Sequence, residues 1–233
     1  LAALKRAIGT RTVSHILITH THRDHCPAAA PLKAWCGAPV YAAGPAPPPA
    51  AAPEREAAPK EEAKVDEAHD RDFVPDRTVR DGQRIAGDGF TLTCVATPGH
   101  TAGHMCYRLD REEALFCGDH VMGWSTSVIA PPDGSMGAYM ASLEKLIGGG
   151  DRILYPAHGA PIAEPGAYLR ALLAHRRARE AAVLAAWRAG LEDAGAIARR
   201  LYPDIAPDLR AAAVVQVRAH LDHLAGQGFL RGG

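Results

Sequence analysis

The sequence predicts a mixed α/β protein in two parts, a strand-rich region over residues 1–164 and a helical region over residues 165–233. Three observations point there. Short apolar runs with β character each end at a histidine- or aspartate-bearing turn. Turn signals such as Asp81-Gly82 and Gly87-Asp88-Gly89 separate neighbouring runs into hairpins. From Pro165 onward the apolar residues recur instead at spacings of three and four, the period of helices packed on one face.

The elements follow in order. Residues 13–19 (VSHILIT) read as a buried strand, and residues 28–35 after Pro27 as a short helix. Residues 44–64 are rich in proline and alanine, with Glu54, Glu56, Glu61 and Glu62. Such a stretch buries little apolar surface and its prolines forbid regular ladders, so it reads as a mobile inserted loop. A lid over a site and a plain disordered insert both fit it. The charged stretch that follows places His69 in solvent. Residues 84–86 and 90–96 form one expected hairpin, and residues 105–109 and 115–117 a second, turning at residues 110–113. Met136, Tyr139, Met140, Leu143, Leu146 and Ile147 recur at helical spacing and predict a core-facing helix over residues 134–147.

In the second part, Leu169, Leu172, Leu173, Val183, Leu184 and Trp187 suit a long helix carrying Arg170, Arg176, Arg177 and Arg179 on its solvent side. A second helix spans about residues 194–201, and Asp208 is placed to cap a third containing Val214, Val217, Leu221 and Leu224. Gly226-Gln227-Gly228 ends it, with an extended piece expected from Phe229.

Composition narrows the function classes. The chain of 233 residues has 26 basic and 26 acidic side chains, so bulk electrostatics do not favour nucleic acid. No run of eighteen apolar residues is present, which excludes a hydrophobic spanning helix. The odd set Cys26, Cys36, Cys94, Cys106 and Cys117, without a CxxC pair, suits reduced thiols and a cytoplasmic protein. The alanine- and arginine-rich composition suggests a bacterial source.

The most informative stretch is residues 20–25, HTHRDH, with four ligand-type side chains in six positions. Neutral imidazole and carboxylate are the usual ligands of zinc and similar first-row metals. In extended backbone His20 and His22 share one face and can reach one ion. A turn at Asp24-His25 would aim those two side chains toward a second ion. Further ligand types stand at later strand ends: His100 and His104 in residues 97–104 (TPGHTAGH), Asp119 and His120 after Gly118, and His158 in residues 156–159 (PAHG). His104 lies four residues beyond His100 and reads as a supporting or structural histidine; His120 would face away from Asp119 and reads as supporting or core. His15 reads as a core histidine. Cys26 and Cys117 lie beside candidate ligands but suit small apolar packing.

The ordered motifs HxHxDH, PGHTxGH, GDH and PAHG, spread over residues 13–160, resemble the metallo-β-lactamase superfamily of dinuclear metallohydrolases. The resemblance implies an αββα sandwich. It implies that His20, His22 and His100 hold one metal, that Asp24, His25 and His158 hold the other, and that Asp119 bridges them. Two ions about 3.5–4 Å apart hold a bridging hydroxide and polarise a carbonyl or phosphoryl oxygen. Zn2+ is the expected metal, with Fe or Mn suited to the same ligands. Asp24 and Asp119 are the expected catalytic carboxylates, Asp24 orienting the hydroxide, and no side-chain nucleophile is needed. Ser125, Thr126 and Ser127 follow the Asp119 loop and are candidate substrate contacts; a turn capped by hydroxyls fits them equally. Superfamily members place several strands before the HxHxDH loop, whereas this sequence reaches His20 after nineteen residues, so the resemblance also implies an N-terminally truncated form.

Three helices, a glycine turn and a tail are similar to a winged-helix module, as in the β-lactamase-like protein 2 branch of the superfamily. That branch makes an endoribonuclease-like phosphodiesterase on single-stranded RNA the first expectation. Residues 166–233 carry ten arginines against six acidic residues, a mild basic bias compatible with phosphate contacts or with a solvated helical face. A glyoxalase II-type thioester or ester hydrolase, or a β-lactamase-like hydrolase of small molecules, is the alternative. A scaffold with a dead site conflicts with seven intact candidate ligands.

Overall fold

The computed structural model describes residues 1–48 and 69–230, so most of the expected insert lies outside the described residues. The elements are α1 (Ala2–Ile8), β1 (Ile16–Leu17), α2 (Ala29–Cys36), β2 (Val40–Ala42), β3 (Arg77–Thr78), β4 (Arg84–Gly87), β5 (Phe90–Ala96), β6 (Met105–Leu109), β7 (Ala114–Gly118), α3 (Met136–Ile147), β8 (Ile153–Pro156), α4 (Pro165–Arg188), α5 (Ala194–Leu201) and α6 (Arg210–Gly226).

Strand alternation builds the layers. In β5 and β6, Leu92, Cys94, Met105 and Tyr107 point to one face, and Val95 and Cys106 to the other. The first face packs against Tyr41 and Val79, joining the five-stranded sheet β4-β5-β6-β7-β8 to the three-stranded parallel sheet β1-β2-β3. The opposite face of the larger sheet is covered by α3 and α4 through Tyr139, Leu143, Leu146, Leu169 and Leu172. The outer face of the smaller sheet is covered by α2, with Ala29 and Leu32 on Ile16, Ile18 and Val40. The result is an αββα sandwich. Phe116 and Tyr155, stacked 5.4 Å apart, stay more than a third exposed on their strands.

Both expected hairpins form, and β8 closes the sheet parallel to β7. Ser135 caps α3 by accepting from the Ala138 N–H, and the expected core positions of that helix are buried except for the partly buried Ile147. Some expectations are corrected. The strand expected over residues 13–19 pairs only at Ile16–Leu17, because its partner β2 is three residues long and the chain must then turn into the site. Asp208 caps nothing: a 3-10 turn at Pro207–Leu209 precedes α6, whose start shifts to Arg210. Phe229 and Leu230 turn back instead of extending; the Phe229 N–H donates to the Leu224 carbonyl, and Leu230 packs on the helical core. Arg176 is buried, not on the solvent side.

The helical core is formed by Val183 and Ala186 of α4, Ile197 and Ala198 of α5, and Ala213, Val217 and Leu224 of α6. Among the described residues no helix is long and apolar enough to cross a membrane.

Gly99 has a φ of 145°, and a Cβ there would stand 2.4 Å from the Tyr139 Cα. Gly99→Ala is expected to lower stability by about 1–3 kcal/mol in urea denaturation, through strain and backbone displacement. Gly103→Ala, where a Cβ meets nothing within 4 Å, is expected to stay within about 0.5 kcal/mol of the wild type. Equal losses in the two variants would contradict the close approach at Gly99.

Candidate metal centre

Each ligand-type side chain stands just past a strand end or on the loop it feeds. The Met105 N–H donates to the Thr19 carbonyl (2.8 Å), which fixes the exit of β1 beside β6 and delivers His20. The N–H groups of His25 and Cys26 donate to the His22 carbonyl (2.9 and 3.3 Å), and this turn brings Asp24 to His158 and His25 to Asp119, with the His25 ring centroid 4.0 Å from that of His20. His100 follows β5 across Gly99. Asp119 follows β7 across Gly118, whose φ is 50° and where a Cβ would meet His104 Nε2 at 2.7 Å. His158 follows β8, held by the Gly123 N–H donating to its carbonyl (2.8 Å).

The side chains meet in two adjoining groups. His20 Nε2 and His100 Nε2 each lie 3.1 Å from His22 Nδ1. Asp24, His25, Asp119 and His158 form the second group, with donor atoms within 4.8 Å of one another. Asp119 stands between the two: Oδ1 lies 3.4 Å from His25 Nε2 and 3.5 Å from His158 Nε2, and Oδ2 lies 3.8 Å from His100 Nε2. All seven residues that the sequence singles out as ligands are brought together. His20, His100 and Asp119 are buried, while Asp24 and His158 stand on the open side, their side chains 59% and 38% exposed.

This donor set fits divalent cations. The His100 Nδ1–H donates to the Val128 carbonyl (2.6 Å), leaving the Nε2 lone pair facing His22. Nitrogens 3.1 Å apart are spaced to share either an N–H or one cation with bonds of about 2.0–2.1 Å. His25 Nε2 and Asp119 Oδ1 are buried and make no hydrogen bond, as atoms reserved for coordination would. Burial lowers His22 to about 3, with His100 and His69 adding to the effect, and burial also lowers His20 and His100. Neutral imidazoles bind metal without displacing a proton at neutral pH. For His25 burial opposes the charge, but Asp119 and then Asp24 outweigh it and raise the group; burial works to raise Asp119, and His25 overcomes it and lowers it.

Other residues hold the ligands from behind. His104, fully buried, accepts the Asp119 N–H at Nε2 (3.2 Å) and meets Thr97 Oγ1 at Nδ1 (2.8 Å). It therefore positions the backbone of Asp119. His69 is also misplaced by the sequence reading, which leaves it in solvent. It is 3% exposed, with Nδ1 2.7 Å from Thr21 Oγ1 and Nε2 3.2 Å from Asp133 Oδ2, and its backbone bridges to His22. The Asp70 N–H donates to the Thr21 carbonyl (2.7 Å), so residues 69–70 clamp the HxHxDH loop. No motif marks His69, which follows a low-complexity stretch among charged residues. His120 is fully buried against Tyr139, its ring centroid 4.7 Å away. His15 is only partly buried, beside Ser14, Tyr41 and Phe90, because its short strand leaves it near the surface. Cys26 and Cys117 pack in the cores, and all five thiols are free.

Ser127 is corrected as a substrate contact. It is 1% exposed, and its hydroxyl donates to the carbonyls of Asp119 and His120, so it braces the Asp119 loop. Ser125 and Thr126 are not among the residues lining the cavity in front of His22 and His100.

The strand ends of the αββα sandwich thus carry a group of three imidazoles beside a group of two imidazoles and two carboxylates, donors suited to metal ions. A family model described as the metallo-beta-lactamase superfamily matches residues 2–158, and one described as the beta-lactamase associated winged helix domain matches residues 194–230. The chain belongs to the metallo-β-lactamase superfamily. It is 35% identical over 179 residues to the lactamase-like protein nscB of Neosartorya fischeri, an alignment covering 74% of this chain and 44% of that protein. The chain thus spans less than half the length of this curated relative. A solved metallo-beta-lactamase family protein of Thermus thermophilus superposes with a TM-score of 0.69 at 25% identity, over 93% of this chain and 75% of that one. A second solved protein, crystallised in a di-iron-bound form, matches with a TM-score of 0.52 at 25% identity, over 75% of this chain and 81% of that one.

Burial lowers His120 to about 3 and His220 to about 4. Their unfolded values lie near 6.5, so below that pH the unfolded chain takes up protons that the folded chain refuses. The metal-free protein is expected to lose stability as pH falls from about 6.5 toward 4. Urea midpoints measured at steps between about pH 7.5 and 4.5 check this; a midpoint that rises as pH falls contradicts it.

His69→Ala is expected to weaken metal affinity about 10–100-fold, because it releases the loop that carries His22. Competition with a calibrated chelator measures the change, and wild-type affinity in the variant would show the clamp to be dispensable.

Proposed function

We propose that the chain is a dinuclear metal-dependent hydrolase acting on a small ester or thioester with an apolar acyl portion. His20, His22 and His100 would hold one cation, Asp24, His25 and His158 the other, and Asp119 both. Zn2+ is the proposed occupant, with Fe or Mn suited to the same donors; the neighbour crystallised with two irons supports a two-ion reading. When bound, the cations supply hydroxide near neutral pH and polarise the oxygen of the scissile group. Asp24, on the open side and 3.2 Å from His158 Nε2, would orient the attacking water by accepting its proton. Val128 and Pro131, in the loop after Asp119, line one side of the cavity in front of His22 and His100.

The cavity in front of His22 and His100 carries the choice of substrate. Its volume is about 420 Å³. Val128, Ala130, Pro131, Pro132 and Val215 give it apolar walls, and among the described residues Arg218 is its only arginine or lysine, against the carboxylates of Asp133 and Asp208. A phosphodiester backbone calls for several cations. An uncharged acyl group suits these walls.

The single-stranded RNA reading draws on the match to a winged-helix domain and on the arginines of residues 166–233. Several of those arginines are already engaged. Arg176 bonds Gln216 and the Ser127 carbonyl, Arg177 pairs with Glu144, and Arg179 lies over Tyr202. The five free thiols suit a reducing compartment, and we place the protein in the cytoplasm.

Purified protein is expected to carry two metal ions per chain by elemental analysis. It is expected to hydrolyse p-nitrophenyl esters and acyl thioesters, with His22→Ala and Asp119→Ala each reducing turnover at least about 10³-fold. Assayed side by side with a β-lactam and single-stranded RNA, the esters are expected to dominate. Metal-dependent RNA cleavage without ester or thioester turnover would replace this proposal with the phosphodiesterase.

A further inference from the structure

Helix α6 belongs to the segment matched by the winged-helix domain, yet it forms one wall of the cavity that holds His22 and His100. Ala212, Val215 and Arg218 lie at spacings of three and share a helical face, and Ala211 stands at its edge. That face looks into the cavity. The other sides of α6 are occupied, with Val217 and Leu224 in the helical core and Ala219 in the core of the sandwich. The helix is therefore wedged between two cores and turns the face with Ala212 and Val215 toward the cavity of His22 and His100.

Its distance from the cluster is fixed by a chain of hydrogen bonds. The Ser127 hydroxyl donates to the carbonyls of Asp119 and His120. Arg176 donates to the Ser127 carbonyl and, at 2.8 Å, to Gln216 Oε1 on α6. The Gln216 amide donates in turn to the Ile129 carbonyl (3.5 Å). Asp119 and the wall of α6 are thus tied through buried or half-buried polar groups.

We infer that α6 is the acyl-specificity wall of the enzyme, with the methyl groups of Ala211 and Ala212 and the side chain of Val215 setting how long an apolar acyl group is accepted. This rests on the reading of the site as an ester or thioester hydrolase. The match to a winged-helix domain then describes the shape of the segment, while one of its helices serves the substrate pocket.

The test uses the metal-loaded full chain and p-nitrophenyl esters from acetyl to decanoyl. Ala212→Leu keeps helix propensity nearly unchanged. It is expected to lower the decanoyl-to-acetyl ratio of kcat/KM about tenfold or more, since a few methylenes in an apolar pocket discriminate on this scale. Val215→Ala enlarges the same wall and is expected to move the preference toward longer chains. Decanamide binding to the same proteins, followed by calorimetry, is expected to weaken about tenfold in Ala212→Leu. Ratios within about twofold of wild type in both variants overturn the inference, as does decanamide that fails to bind the wild type or binds both proteins alike. If no ester or thioester is turned over but decanamide binding weakens in Ala212→Leu, the wall stands and the ester-hydrolase reading falls.

Discussion

The structure depends on holding like groups together where water cannot separate them. Three imidazole nitrogens crowd within hydrogen-bond distance at His20, His22 and His100, and two carboxylates stand beside them. Left alone, such a cluster would spread. The backbone prevents this because each donor is attached to an element already committed to a core. The β1 exit is pinned by Met105, His100 is threaded past α3 through Gly99, and Asp119 is fixed by His104 and Ser127. The apolar sandwich thereby offsets the electrostatic cost of the site.

The ligand cluster was legible in the sequence because ligands on strand-end loops carry their own punctuation. His20 and His22 follow an apolar run, and Gly99 and Gly118 mark places where the backbone must pass close to another element. The helix expected over residues 134–147 was legible apart from its start, which falls at Met136 after the Ser135 cap, since its apolar spacing reports the face it buries. What was not legible is what depends on distant partners. His69 looks solvated until Thr21 and Asp133 close around it. Ser127 looks like a surface hydroxyl until the carbonyls of Asp119 and His120 take it. Arg176 falls among other arginines, and only the position of α6 and the loop before α3 makes it a buried connector.

The same partners explain why the site has an open and a closed side. His20 and His104 are sealed behind the cluster by the two sheets, whereas Asp24 and His158 look outward. Among the described residues, the cavity bounded by α6 also reaches the cluster, at His22 and His100. That cavity is lined by residues from both ends of the chain, with Arg218, Asp133 and Asp208 as its charged lysine, arginine or carboxylate side chains.

Helix α4 has a consequence for how the molecule comes apart. Its first half contributes Leu169, Leu172 and Leu173 to the sandwich, and its second half contributes Val183 and Ala186 to the helical bundle. One rod of 24 residues, about 36 Å long, is thus common property of both bodies. Neither can melt without stripping half the helix of its packing, so heat would dismantle the two as a single cooperative unit.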